Sequence, residues 1–197
     1  IGSCVQAQFN DRLFGIHNPE AGVYHFSSID RGTGAISDLE QLPISFYGGL
    51  ASLTVDPDLQ RIIFNTASGI YILDPTGNTP FTTVVPPLES SSFFGPLQRD
   101  PCSGNYYGFR TGADGSVNFI AYDLSNNSIT SLSEIVGLNG FSEMSYIDPA
   151  LGNFVIEHAQ HVMVIDLDDG SVLSNSPVIV PSGHIFHGIT YECSSRR

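Results

Sequence analysis

One unit recurs four times along the chain, and its spacing constrains the fold more than any other feature. Val162-Met-Val-Ile-Asp166-Leu-Asp-Asp-Gly170-Ser-Val-Leu173 reads as a strand, a tight turn and a second strand. The same pattern appears as Val23-Tyr-His-Phe-Ser-Ser-Ile-Asp30 before Gly32 and Gly34, as Ile70-Tyr-Ile-Leu-Asp74 before Gly77, and as Val117-Asn-Phe-Ile-Ala-Tyr-Asp123 before Asn126-Asn127. The closing aspartates lie 44, 49 and 43 residues apart. Periods of this size belong to repeat architectures. A second landmark runs in step. Asp56-Pro57, Asp100-Pro101 and Asp148-Pro149 each end an apolar stretch, and Glu192-Cys193 falls where the next is due. From each strand-closing aspartate to the next such mark is 26, 26, 25 and 26 residues.

Long apolar patterns of helical period are missing. Short runs of Val, Ile, Phe, Tyr and Thr alternate with Gly, Pro, Asn and Asp clusters, so the chain reads as all-β. Each unit resolves into four strands, a to d. The second unit has Leu50–Val55, Arg61–Asn65, Ile70–Leu73 and Phe81–Val85. The third has Gly95–Arg99, Tyr106–Arg110, Val117–Tyr122 and Ser128–Leu132. The fourth has Glu143–Ile147, Asn153–His158, Val162–Ile165 and a d strand around Val172 and Val178–Val180. In the first unit b is Arg12–His17, c is Val23–Phe26 and d is Ala35–Leu39. Its a strand is either Val5–Phe9 or Gly188–Glu192 from the far end of the chain.

Four-stranded antiparallel units, entered through an aromatic and a glycine (Tyr47-Gly48, Phe94-Gly95), resemble the blades of a β-propeller. The resemblance implies a single domain over residues 1–197, a four-bladed propeller whose ring is closed by the N- and C-terminal segments. Its blades span about 1–45 plus 184–193, 46–90, 91–137 and 138–183. The resemblance is to the architecture, since no WD dipeptide and no kelch glycine pair is present. A terminal cystine closing four blades resembles the hemopexin-type domain in construction, without its repeat sequence.

Composition narrows the partners. With 197 residues and 41% hydrophobic content the chain can hold one well-buried domain. The formal charge is −13, and all seven basic residues are arginine. Such a chain is repelled by phosphate backbones and anionic membranes, so nucleic acid and membrane insertion are excluded as expectations. A small ligand, a metal ion or a basic protein partner fits the field better. Cys4 and Cys193 lie near the two ends, and a bridge between them would close almost the whole chain, for roughly 4–5 kcal/mol in the chain-entropy model. Free thiols are the alternative. The sequon Asn126-Asn127-Ser128 falls on an expected turn. No basic-then-apolar leader opens the sequence. The expected location is extracellular, with any signal removed before this numbering and Arg196-Arg197 as a candidate processing site.

The repeat also sorts the polar residues by end. The b–c and d–a loops of a propeller open on one face, the a–b and c–d turns on the other. His17 ends a b strand, His158 and His161 flank a b–c turn, and His184 and His187 lie in the last d–a connection. Imidazole is the commonest ligand for zinc and copper, so His17, His158, His161, His184 and His187 are the candidate transition-metal ligands. Surface histidines with ordinary hydrogen bonds are the alternative. At the opposite end Asp56, Asp100, Asp148 and Glu192 would ring the channel exit and suit calcium. The simpler reading is that aspartate before Pro or Gly starts turns through its own backbone. No nucleophile elbow, phosphate loop or zinc-protease helix is present. Cys102 reads as inert, and Glu143 and Glu157 are candidate acid–base groups beside the histidine face. The readings in play are a secreted acidic binding module, a metal- or His/Glu-dependent hydrolase or lyase using that face, and a structural part of a larger propeller assembly.

Overall fold

The computed structural model describes residues 13–42, 50–56, 61–66, 69–74, 81–84, 93–138 and 144–179. Fifteen strands run through them, with no helix among the described residues. They form four antiparallel sheets. The first holds β1 (Leu13–Glu20), β2 (Val23–Ile29) and β3 (Ile36–Leu42). The second holds β4 (Leu50–Asp56), β5 (Arg61–Thr66), β6 (Gly69–Leu73) and β7 (Phe81–Val84). The third holds β8 (Phe93–Arg99), β9 (Tyr106–Thr111), β10 (Val117–Asp123) and β11 (Ser128–Glu134). The fourth holds β12 (Ser145–Asp148), β13 (Asn153–His158), β14 (His161–Asp166) and β15 (Val172–Pro177). In every sheet the spatial order follows the chain, as in a meander.

The expected strands are therefore present in all four units, with ends shifted by a few residues. The d strand of the fourth unit stops at Pro177 rather than extending through Val178–Val180. An a strand for the first unit, the ring-closing segments, the Cys4–Cys193 pairing, Glu143 and the Tyr47-Gly48 entry all lie outside the described residues.

Strand alternation explains why the sheets stack. Successive side chains of a strand face opposite sides, so an inner strand must be apolar on both. In β5 and β6, Ile62, Phe64, Tyr71 and Leu73 face the first blade, where they bury Phe26 and Leu42. Their neighbours Ile63, Ile70 and Ile72 face the third blade and meet Phe94, Leu97, Tyr106, Ile120 and Tyr122. The third blade turns Tyr107, Phe109, Val117 and Phe119 toward Phe154, Ile156, Met163 and Ile165 of the fourth. Phe154 stands edge-on to both Phe109 and Phe119, with ring centres 5.5 and 5.3 Å away.

The a strands β4, β8 and β12 adjoin one another, and the d strands lie at the rim. Rim position explains their polarity: β15 is exposed throughout, β3 at five of its seven residues and β11 at four of seven. Polar edges discourage pairing with another chain. Two glycines are fixed by close approach. A Cβ on Gly108 would lie 2.0 Å from the Pro96 carbonyl oxygen, at the bulge between β8 and β9. Gly170, at φ +75°, sits under Leu132 and Ser133 of the preceding blade, and the Ser133 hydroxyl donates to its carbonyl.

Candidate functional site

The a–b and c–d turns are built by aspartate. Asp100 accepts the backbone N–H groups of Cys102 and Ser103, and Asp148 those of Ala150 and Leu151. Asp30 and Asp166 do the same for their own turns. Asp56 has a different environment. Its carboxylate is almost fully buried, accepts the Tyr106 hydroxyl at 2.9 Å and lies 3.3 Å from Arg99 Nε. That contact ties the second blade to the third. Burial, followed by the Asp56 charge, pushes the Tyr106 phenol well above its ordinary pKa. Glu192 lies outside the described residues. Cys102 is a free, exposed thiol in the Asp100 turn. Asn126 of the sequon is exposed in the β10–β11 turn, where its amide donates to Asp123.

At the opposite end, His158 and His161 are cross-strand neighbours around the two-residue turn Ala159-Gln160. Both turn residues have left-handed backbones, φ 50° and 65°, a conformation unusual outside glycine and asparagine. The buried Glu157 carboxylate accepts the Gln160 N–H at 2.9 Å, which helps hold that turn. His161 Nδ1 lies 3.1 Å from Asn175 Oδ1 on β15. His184 and His187 lie outside the described residues.

The densest polar cluster is on the first blade. His17 on β1 faces His25 on β2, with ring centres 5.8 Å apart. Asp38 on β3 reaches both: Oδ1 is 2.7 Å from His17 Nε2, and Oδ2 is 3.0 Å from His25 Nδ1. The Ser27 hydroxyl donates to Oδ1 at 2.9 Å. The His17 hydrogen bond first, then that of Ser27, holds the Asp38 carboxyl below the usual carboxylate range. Phe14, Ile16, Tyr24 and Phe26 of these strands pack toward the second blade, so alternation puts the cluster on the opposite face. It is partly open to solvent, with Asp38 45% and His17 31% exposed.

One β-bulge sets the central pairing of this cluster. Next to the turn, Glu20 pairs with Val23; carried on unshifted, that register would set His17 opposite Phe26. A slip between His17 and Glu20, at Asn18-Pro19, sets it opposite His25 instead. Proline has no N–H for the ladder and suits a bulge. The b–c pairings of the other three blades run without a slip. On the other side of β2, Ser27 pairs with Asp38 in the register that runs out from the β2–β3 turn, and a slip between Ser27 and Phe26 comes only beyond it. The sequence alone points to His17 but not to His25 or Asp38. The signal was a histidine on each side of a short hairpin containing proline.

Among the described residues, no group of three or more His, Cys, Asp or Glu side chains is arranged to hold a metal ion. In the first blade His17 and Asp38 share a hydrogen bond, and the buried Nδ1 of His25 lies 3.0 Å from Asp38 without forming one.

The chain matches no protein-family model and no curated protein. Solved structures do resemble it. TolB from Acinetobacter baumannii superposes with a TM-score of 0.60 at 15% identity, over 84% of this chain and 41% of that one. The stacked meanders and these likenesses agree. The chain has a β-propeller fold. A gluconolactonase from Xanthomonas campestris gives a TM-score of 0.58 at 17% identity, covering 79% of this propeller and 58% of its own chain. An oligogalacturonate lyase in complex with manganese gives 0.58 at 11% identity, covering 85% and 45%. This propeller therefore spans about two-fifths to three-fifths of the length of these structures.

Proposed function

We propose that this chain is a secreted, acidic β-propeller binding module whose ligand site lies at the b–c end. His17, His25 and Asp38 of the first blade form its centre, and His158 and His161 of the fourth blade flank the same end of the fold. The carrying observation is the register slip that sets His17 opposite His25, beside Asp38. Bulges are over-represented beside functional sites, where they re-aim a side chain. The slip at Asn18-Pro19 has no counterpart in the other b–c hairpins, so the blade architecture does not require it. The net charge of −13 favours a cationic or basic ligand. An extracellular location agrees with the likeness to the extracellular domain of a two-component system from B. thetaiotaomicron and to a nutrient-binding protein from Bacteroides ovatus.

The test is binding of arginine- and lysine-rich peptides and of uncharged oligosaccharides to immobilised protein, in EDTA. Weakening of at least about tenfold by Asp38→Asn supports the reading, since charge-assisted contacts are worth about 1.5–3 kcal/mol. Retention of every ligand by Asp38→Asn and by His17→Gln/His25→Gln overturns it.

A second reading, a hydrolase or lyase at the same place, draws on one observation. Asp38 engages Nε2 of His17 and so leaves Nδ1 as the nitrogen to accept a proton. Turnover of lactone or uronate substrates, abolished by His17→Gln, would support it over simple binding. The shorter span relative to the propellers it resembles supports a third reading, a part of a larger ring, which native mass measurement would test.

A further inference from the structure

We propose that the His17–His25 pair is a binding site for a divalent transition-metal ion, with Asp38 acting behind the two imidazoles rather than as a ligand. The proposal rests on the reading of the first-blade cluster as the binding site and specifies what it takes.

Three observations support it. The first is spacing. Two imidazoles sharing one tetrahedral zinc, through bonds of about 2.0–2.1 Å, place their ring centres roughly 5.2 Å apart, and somewhat more at wider angles. The His17 and His25 rings are 5.8 Å apart and tilted by 55°, about 0.6 Å from that spacing.

The second is the carboxylate. Metal-binding histidines almost always give their other ring nitrogen to a carboxylate, a carbonyl or water, which fixes the ring and raises its basicity. Asp38 meets one nitrogen of each ring, Nε2 of His17 and Nδ1 of His25. That leaves Nδ1 of His17 and Nε2 of His25 as the ligating nitrogens. The Ser27 hydroxyl, on a residue only 2% exposed, holds the carboxylate from behind. Asp38 thus orients the His17 imidazole through a hydrogen bond, while the buried Nδ1 of His25 lies beside its other oxygen without a hydrogen-bond partner.

The third is placement. All three side chains come from adjacent strands of one sheet, a rigid support, and they lie on the face turned away from the second blade. With two protein ligands and no third among the described residues, the remaining positions belong to water or to donor atoms of a bound partner. Such an open site is one that a ligand can complete.

Zinc titration of the purified protein, by calorimetry and by side-chain nitrogen NMR of the six histidines, tests this. The expected result is one zinc per chain, with the His17 and His25 resonances moving together. His17→Gln or His25→Gln should each weaken binding at least about tenfold, and Asp38→Asn about 10–100-fold. Asn126→Gln, in the β10–β11 turn, should leave zinc affinity unchanged. No binding at zinc up to about 1 mM overturns the proposal. So does a response confined to other histidines, or undiminished binding in Asp38→Asn. The wild-type spectrum decides the matter even if a variant fails to fold. Because the peptide and oligosaccharide assays run in EDTA, zinc failure alone would leave the binding-module reading standing.

Discussion

Replacing Tyr106 with phenylalanine removes one oxygen from a closed junction between two blades. Tyr106 is fully buried and Asp56 is 3% exposed, so water cannot replace the lost donor in place. The lost bond is a hydroxyl donating to a carboxylate at 2.9 Å, and bonds to charged groups contribute about 1.5–3 kcal/mol. Tyr106→Phe should therefore cost about 1.5–3 kcal/mol at pH 7. The pH dependence gives a sharper test. Burial and the Asp56 charge raise the phenol pKa in the folded state above its unfolded value of about 10. A group whose folded pKa is raised contributes stability that is complete below the unfolded pKa and is lost as pH rises from there toward the folded one. At pH 11, Tyr106 would already have given up about 1 kcal/mol of that contribution, and phenylalanine has none to lose. The gap between wild type and Tyr106→Phe should shrink by about 1 kcal/mol between pH 7 and pH 11. Urea unfolding at both pH values, followed by far-ultraviolet circular dichroism because the chain lacks tryptophan, measures it. A gap below about 0.5 kcal/mol at pH 7, or one that stays constant at pH 11, would refute the reasoning.

Other perturbations have distinct causes. Phe154→Ala empties a fully buried position between Phe109 and Phe119, and urea unfolding should show a loss of about 3–5 kcal/mol. Gly170→Ala forces a side chain onto a backbone at φ +75° and puts its Cβ 2.6 Å from Ser133 Oγ, so thermal unfolding should fall by several degrees, the equivalent of about 1–3 kcal/mol. Acidification should destabilise the protein below about pH 4. Hydrogen bonds hold Asp30, Asp38, Asp114, Asp123 and Asp169 below the ordinary value, and a depressed pKa contributes stability above the unfolded pKa that is lost as pH falls through the folded one. An acid titration with no transition in that range would contradict those turn bonds.

How much of this was legible follows from what sets each feature. The strands were legible because local periodicity fixes them: Tyr106-Tyr-Gly-Phe and Phe154-Val-Ile must lie flat between two apolar faces, and period-two burial needs no knowledge of the partner. The turns were legible because aspartate closes them with its own carboxylate, as at Asp100 and Asp148. The junction of Asp56, Arg99 and Tyr106 was not, because it joins residues up to 50 positions apart that share no local pattern. The first-blade cluster was half legible. His17 lies on the expected strand, but its partner depends on counting register outward from the turn, and an uninterrupted count gives Phe26. One extra residue at Asn18-Pro19 moves the pairing by a single step and brings His17 to His25, beside Asp38. Because side chains alternate strictly, each step decides which face a residue occupies. The architecture tolerates a slip in the c–d pairs of the first, third and fourth blades, whereas the b–c slip occurs in the first alone among those described. A deviation that the repeat does not need, at the place where two imidazoles and a carboxylate meet, is best accounted for by what the cluster binds.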